Sequence, residues 1–139
     1  MTKSFVIHLF LLSAIFHWSV LNGHADTMYL VSGVTGDGSS QITGDNAVPL
    51  SKGRFLPPAA HITTSSDGGL ELLGGGWTLR LGKNSSFSAL EGGIKLTNGA
   101  LLAKPMRKSS ELILTTDSHS FQLYGKGAFL SETISDGGL

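Results

Sequence analysis

The stretch Gly74–Ser86 has the composition of a phosphate-binding loop, because a run of glycines precedes a Gly-Lys pair and two serines. A Walker-type loop needs the pattern G-x-x-x-x-G-K-[ST] and a following helix whose N-terminus faces the phosphates. With Gly82-Lys83 as the Gly-Lys pair, Trp77 stands where the first glycine belongs and Asn84 stands where the hydroxyl residue belongs. The spacing therefore excludes a Walker-type nucleotide site.

A second glycine-rich segment, Gly33–Gly38, resembles a dinucleotide fingerprint in composition only. Its glycines do not follow the G-x-G-x-x-G spacing, and no βαβ pattern surrounds them. The nearby Asp37, Asp45 and Asn46 suggest calcium, but they lack ligands at positions 1, 3 and 5 before a turn glycine. Turns made by Asp and Asn side chains explain these residues. The sequence therefore predicts no cofactor and no metal site.

The residues that could perform hydrolysis are two histidines and a few carboxylates. Asp117-Ser118-His119 contains the three residue types of a catalytic triad, but neighbours in sequence cannot aim at one another as a triad does. His61 has no further metal ligand at a defined spacing. A glycosidase needs two opposed carboxylates, and no spacing selects a pair from Glu71, Glu91, Glu111 and Asp117. We predict that the protein is not an enzyme and has no catalytic residues.

Residues 1–25 have the layout of a secretory signal peptide. Lys3 precedes the apolar stretch Phe5–Phe16, and Gly23-His24-Ala25 supplies small residues before a cleavage site after Ala25. This layout predicts export to the periplasm or the cell exterior. The alternative is an uncleaved membrane anchor, although Phe5–Leu21 is shorter than the roughly 20 apolar residues that a span needs. No later stretch is apolar enough to span a membrane.

Cysteine content and charge restrict the partners of the chain. There is no cysteine, which excludes disulfides and thiol chemistry. Ten basic residues balance ten acidic residues, and the only local basic cluster is Pro105–Glu111. Nucleic-acid binding depends on a basic stripe that displaces counterions from phosphates, and the dispersed charges do not form one. We therefore expect no nucleic-acid partner.

Apolar and polar residues alternate through the chain after Asp26, and no stretch has helical spacing. Between Trp77 and Leu81 the apolar residues are two apart, so Trp77, Leu79 and Leu81 share one face of a strand. This phase favours a core position for Trp77 over the alternative of a ring that stacks on sugars. The same alternation occurs in four further stretches: Leu70-Glu71-Leu72, Ile94-Lys95-Leu96, Leu112-Ile113-Leu114 and Phe121–Tyr124.

Turn-forming residues separate these stretches. Asn98-Gly99, between Ile94–Thr97 and Ala100–Ala103, gives the strongest prediction of a hairpin. Further tight turns are expected at Gly74–Gly76, Lys83–Ser85 and Gly92-Gly93. The predicted fold class is all-β, either an antiparallel sandwich or a short β-roll of glycine-punctuated hairpins.

Five segments in order resemble the FecR-type domain family, and their order and spacing carry the resemblance over Tyr29–Phe129. The segments are VSGVTGDG, the step Leu50-Ser51-Lys52-Gly53, ITTSSDGGLELL, LRLGKNSSF and IKLTNGALL. The resemblance implies an all-β domain outside the cytoplasm. We assign this single domain to residues 26–130 and expect a disordered tail at residues 131–139. The resemblance supplies no catalytic residues, because the family's motif positions are turns and strand cores.

Two departures from the family pattern bear on function. Family regulators that relay the occupancy of an outer-membrane transporter to a sigma factor have a cytoplasmic segment and a transmembrane helix before the domain. Here the signal-like segment precedes the domain instead. The family's closing G-T-x-F step is also altered, because Tyr124–Phe129 lacks the threonine and places the phenylalanine one residue later.

These observations predict an exported, non-enzymatic, FecR-like β-domain that acts as a binding, scaffold or signal-sensing module in the bacterial cell envelope. The expected partner is another envelope protein, such as a transporter or a membrane regulator, bound through an exposed strand edge. The alternative is a carbohydrate-binding or surface-structural β-protein with a polysaccharide partner.

Overall fold

The computed structural model describes residues 27–133, which form twelve β-strands and no helix, so the predicted all-β class is confirmed. The signal peptide prediction lies outside these residues. Within residues 27–133 there is no helix of the length and hydropathy needed to cross a membrane. The strands are β1 (Tyr29–Thr35), β2 (Ser40–Thr43), β3 (Asn46–Pro49), β4 (Phe55–Leu56), β5 (His61–Thr63), β6 (Gly69–Gly74), β7 (Trp77–Leu81), β8 (Ser86–Leu90), β9 (Gly93–Pro105), β10 (Glu111–Thr115), β11 (Ser120–Tyr124) and β12 (Phe129–Thr133).

The strands form one curled sheet that folds over into two layers sharing β9. Layer 1 has the order β4-β1-β6-β7-β9-β12, and layer 2 has the order β3-β2-β5-β8-β9-β10-β11. Every pairing is antiparallel except that of β9 with β10, which is parallel. The chain can use β9 in both layers because its first half pairs with β8 and its second half with β7.

The predicted hairpin at Asn98-Gly99 is wrong, because β9 runs through it without interruption from Gly93 to Pro105. Gly99 has φ 88°, and the register of β9 against β8 shifts at Ser86/Phe87. A bulge and a hairpin turn both place glycine at positive φ, so the local sequence is the same for either. Here the bulge turns β9 from layer 2 into layer 1.

The other predicted turns are confirmed. Gly75 and Gly76 have φ of 58° and 81° and join β6 to β7 in a two-residue loop. Asn84 has φ 51° in the turn before β8, and Gly92 has φ 69° in the turn before β9. Positive φ at both positions of a two-residue loop matches the right-handed twist of the paired strands.

Four chain crossings between the layers meet at one corner, and buried hydroxyl groups hold them together. The Thr64 hydroxyl donates to the carbonyl of Gly82 at 2.6 Å, and the Ser85 amide donates to Thr64 Oγ1 at 2.9 Å. The Ala100 amide donates to Ser85 Oγ at 3.1 Å. A Cβ at Gly99 would collide with Ser85, so glycine is required there. The crossings are residues 36–39, 64–68, 82–85 and 98–99.

A single hydrophobic core fills the space between the layers. Trp77, Leu79 and Leu81 are buried, whereas Arg80 is exposed, so the predicted register of β7 is confirmed. Tyr29 from layer 1 and the Phe87 ring from layer 2 meet edge to face, with 6.1 Å between ring centroids. The remaining fully buried apolar residues also come from both layers, so each layer covers the inner face of the other.

The C-terminal strand corrects the predicted domain boundary. β12 pairs with β9 from Phe129, opposite Ala103, to Thr133, opposite Gly99. Residues 131–133 therefore belong to the sheet rather than to the tail that was expected from residue 131. Residues 134–139 lie outside the described part of the chain.

Replacing Leu79 tests the register of β7. Leu79→Asp places an unpaired charge in the core, and we expect it to lower the free energy of unfolding by about 4 kcal/mol or more. Thr78→Asp lies on the outer face opposite Lys104, so we expect a change of under about 1 kcal/mol. Urea unfolding of both variants measures the difference. Equal losses would show that the register is wrong.

Tyr29 gives the folded protein a dependence on alkaline pH. Its hydroxyl is buried without a hydrogen-bond partner, and burial raises the pKa of Tyr29 to about 12. Above the unfolded pKa of about 10 the unfolded chain loses this proton first, so stability falls as pH rises towards 12. At pH 11 this loss is on the order of 1.4 kcal/mol.

We expect Tyr29→Phe to remove that loss and to leave stability near pH 8 unchanged or higher, because no hydrogen bond is lost. Urea unfolding at pH 8 and pH 11 measures the change. Tyr124→Phe is the matched control, since the Tyr124 side chain is 52% exposed, and it should keep the wild-type pH dependence. An unchanged pH dependence in Tyr29→Phe would contradict the assignment.

Candidate functional site

The four carboxylates considered for glycoside hydrolysis lie on separate elements. Glu71 is on β6, Glu91 is in the turn before β9, Glu111 begins β10, and Asp117 is in the turn after β10. Asp117 Oδ1 pairs with Lys95 Nζ at 2.9 Å. Within residues 27–133, no group of three or more His, Cys, Asp or Glu side chains is placed to hold a metal ion. These acids therefore form no metal-binding group of three within the described residues.

Glu71 takes part in a small polar cluster on the outer face of layer 1. Its Oε2 accepts a hydrogen bond from Arg80 Nε at 2.6 Å, and its Oε1 accepts one from the Ser32 hydroxyl at 3.0 Å. The hydrogen bond from Arg80, followed by that from Ser32, lowers the pKa of Glu71. A carboxylate held ionised in this way is suited to fixing neighbouring strands rather than to delivering a proton.

The acidic residues considered for calcium form turns. Asp45 occupies the two-residue loop between β2 and β3, and Asn46 begins β3. Asp37 uses its backbone carbonyl to accept a hydrogen bond from the Ser65 hydroxyl in the corner. That hydroxyl also lies 2.6 Å from Asp67 Oδ1, and its hydrogen bond lowers the pKa of Asp67. Asp37 and Asp45 thus lie in turns, and the contact of Asp37 is made by its backbone.

Within residues 27–133, both histidines contact serine hydroxyls. His61 Nδ1 is 2.9 Å from Ser88 Oγ, and its Nε2 is 3.3 Å from Ser86 Oγ. Both ring nitrogens are therefore engaged, which leaves neither for the carboxylate that orients a catalytic histidine. Ser118 Oγ is 2.7 Å from His119 Nδ1. Asp117 pairs with Lys95 instead of with His119. Asp117-Ser118-His119 therefore forms the polar tip of a hairpin, as expected.

Trp77 is 0% exposed, so the alternative of a sugar-stacking tryptophan is wrong and its predicted core position is confirmed. Its ring packs against Phe129 of β12, with 6.0 Å between ring centroids. Three aromatic rings on the described strands are exposed: Phe55 on β4 at 59%, and Phe121 and Tyr124 on β11 at 47% and 52%. β11 is therefore the strand that carries two of them.

A cleft of about 450 Å³ opens between the β10–β11 hairpin and β12. The parallel pairing of β10 with β9 ends at Lys95, and the pairing of β12 with β9 begins at Gly99. β10 and β12 therefore diverge on either side of Thr97. Phe121 and the turn residues Thr116–His119 line one wall, and Ser131–Thr133 line the other. This open side is the candidate functional site.

Phe121 leaves an apolar surface of the cleft only partly buried. It pairs with the buried Leu114 and therefore points towards the inner side of layer 2, yet it is 47% exposed. Leu123, opposite the buried Leu112, is only half-buried for the same reason. The His119 ring stacks on Phe121 with 5.9 Å between centroids and 23° between planes. An added chain at this edge would complete the core on this side.

Among the four edges in residues 27–133, β11 is the least protected. β3 is four residues long and contains Pro49, β4 is two residues long, and β12 carries Glu132. β11 consists of SFQLY, without a charge, proline or glycine. Proteins protect edge strands with short length, charge or proline because an unprotected edge pairs with other chains. Sequence reasoning missed this site because alternation alone does not reveal whether a strand lies at an edge.

Four of the five segments quoted above each reach one crossing of the corner, and none of the five lies on β11 or β12. Gly36 is explained by the corner geometry, because a Cβ there would collide with the Asp67 carbonyl. Comparisons of the chain with protein-family models, with curated proteins and with solved structures find no match.

Proposed function

We propose that this protein is an exported, FecR-like, non-enzymatic binding and scaffold module of the bacterial cell envelope, and that it captures an extended segment of another envelope protein at its open side. The observation that carries the proposal is the pair of edge strands β11 and β12, which flank the 450 Å³ cleft. Strand addition uses backbone hydrogen bonds for affinity and alternate side chains for specificity, and this edge offers both.

The cleft determines the chemistry of the segment that fits. An added strand beside β11 would place every second side chain towards the inner side, next to Phe121 and Leu123. Apolar residues at those positions would cover the exposed half of Phe121. The intervening residues would face the outer side, next to the polar Gln122. The expected partner segment therefore alternates apolar and polar residues and contains no proline.

Affinity capture tests this function. The bait is the full chain with a C-terminal tag, expressed in the source bacterium and purified from the exported fraction, and the prey is detergent-solubilised envelope. We expect recovery of a transporter or membrane regulator, and an intact bait mass that begins at Asp26. A blank from folded bait, or a bait that stays in the cytoplasm, would contradict the proposal.

Edge variants locate the contact. Phe121→Lys places an inward charge on β11, and Leu130→Lys places a charge on β12, where Leu130 is 74% exposed. We expect one of them to reduce recovery by about tenfold or more, because a loss of ~1.4 kcal/mol suffices for that factor. Ala47→Lys adds the same charge to the exposed β3 at the opposite edge of layer 2 and should retain the partner. Equal recovery by all four baits would exclude the open side.

A second function, carbohydrate binding, is favoured by the stacked rings of Phe121 and His119. An exposed ring face can pack on the apolar face of a sugar, and the hydroxyls of Ser118, Ser131 and Thr133 could bond to sugar hydroxyls. Calorimetric titration with purified envelope polysaccharide is the test. We expect Phe121→Ala to abolish the heat of binding and Tyr124→Ala, outside the cleft, to retain it. No heat with the wild type would eliminate this function.

A further inference from the structure

The sequence of β11 is complementary to itself when two copies run antiparallel. With Gln122 opposite Gln122 of a second copy, Phe121 lies opposite Leu123 twice, and Ser120 lies opposite Tyr124 twice. Residues directly opposite each other in an antiparallel pair share a face. This register therefore joins the apolar inner sides of both copies and keeps Gln122 on the outer side. A slip by one residue would place Gln122 opposite Phe121, so the apolar side of one copy would join the outer side of the other.

The two ends of β11 carry opposite charge, which the tertiary structure creates. Near Ser120, the carboxylates of Asp117 and Glu132 both line the cleft, and one of them is paired with Lys95. Asp117, Glu132 and Lys95 together carry a net charge of −1. Glu132, which supplies the charge left over, is exposed and therefore accessible to a partner.

At the Tyr124 end, Gly125 packs so closely on the backbone of Arg107 and Lys108 that a Cβ would collide with the Arg107 carbonyl. This contact places Lys126 beside the one basic cluster of the sequence. Arg107, Lys108 and Lys126 are exposed, and Glu111 is the acidic residue opposite Tyr124. The net charge of this end is +2.

We propose that, when no envelope segment fills it, the β11 edge binds a second copy of this chain, antiparallel about a two-fold axis through Gln122. In this dimer the acidic end of each copy meets the basic end of the other, so both charge contacts are favourable. The two seven-stranded layers join into one continuous sheet. The interface is isologous and therefore closes at two copies.

This inference goes beyond the proposed envelope binding, because it concerns the contact of the chain with itself. Both contacts use the β11 edge, so the second copy and the envelope segment exclude each other there. The two proposals can fail separately. A monomeric protein that still recovers its envelope partner overturns the dimer only, whereas a dimer that recovers nothing overturns the binding function only.

Single cysteines test the register, since the chain has none of its own. In the proposed dimer the two Cα atoms of residue 122 are about 4.5–5.5 Å apart, within the range that a disulfide bridges. Those of residue 120 are offset by roughly 13 Å along the strands, which is too far. We expect Gln122→Cys to form covalent dimer on mild oxidation roughly tenfold faster than Ala47→Cys or Ser120→Cys, because association raises the effective thiol concentration.

Equal mixtures of Ser120→Cys and Tyr124→Cys should cross-link, because those residues face each other in the register. The fraction of covalent dimer is measured over time on non-reducing gels of the purified full chain after export. Cross-linking of Gln122→Cys no faster than Ala47→Cys would overturn the dimer. Cross-linking of Ser120→Cys alone at the Gln122→Cys rate would overturn the register.

Charge reversal tests the end contacts. One variant carries Asp117→Lys and Glu132→Lys, so both of its ends are basic, and the other carries Lys108→Glu and Lys126→Glu, so that its basic end becomes acidic. By sedimentation velocity at low salt, we expect each variant alone to be monomeric where the wild type is dimeric, and an equal mixture to be dimeric. Higher salt should weaken the wild-type dimer, since exposed charges are screened within about 10 Å at 0.1 M. Monomeric wild type at every concentration, or unchanged dimers of either variant alone, would overturn the proposal.

Discussion

The fold depends on the buried hydrogen bonds between Thr64, Gly82, Ser85 and Ala100. A chain that leaves one layer for another breaks its ladder of backbone hydrogen bonds, and the freed groups must find partners when they are buried. Ser85 is 2% exposed and uses both its amide and its hydroxyl in these bonds, to Thr64 and to Ala100. Gly99 supplies the space and the positive φ that let β9 pass the same point. The layers are therefore joined where four crossings share one set of donors and acceptors.

The corner also explains why the open side exists. On one side of β9, residues 82–85 carry the chain from β7 to β8 and close the gap between the layers. On the other side, β10 and β12 reach β9 from different parts of the chain and stop at Lys95 and Gly99. Thr97 then faces the cleft, and the strands beyond it become edges. The same crossing that stabilises the core thus separates the two strands on which both binding proposals rest.

The local patterns of the sequence identified β6, β7, β10, β11, part of β9 and most turns, but not the short strands β2–β5, nor β8 and β12. The alternation from Trp77 to Leu81 predicted the buried face correctly, because a side-chain period of two follows from strand geometry alone. The site residues were not accessible in this way. Phe121 has the alternation of a core residue, and only the absence of a neighbour beyond β11 within residues 27–133 leaves it 47% exposed. The end of the domain was misplaced for a related reason, since β12 is fixed by pairing with Gly99–Ala103.

The sequence by itself determined the all-β class, the register of β7 and the turns at Gly75-Gly76 and Asn84, because these depend on side-chain period and on residues that tolerate positive φ. The tertiary structure decided that Asn98-Gly99 lies within a continuous strand beside a bulge at Thr97, that β11 is an edge, and that Lys126 joins Arg107 and Lys108. Each of these depends on which distant segments pair. The packing of the whole chain determines which segments pair, so no local sequence pattern reveals the pairing.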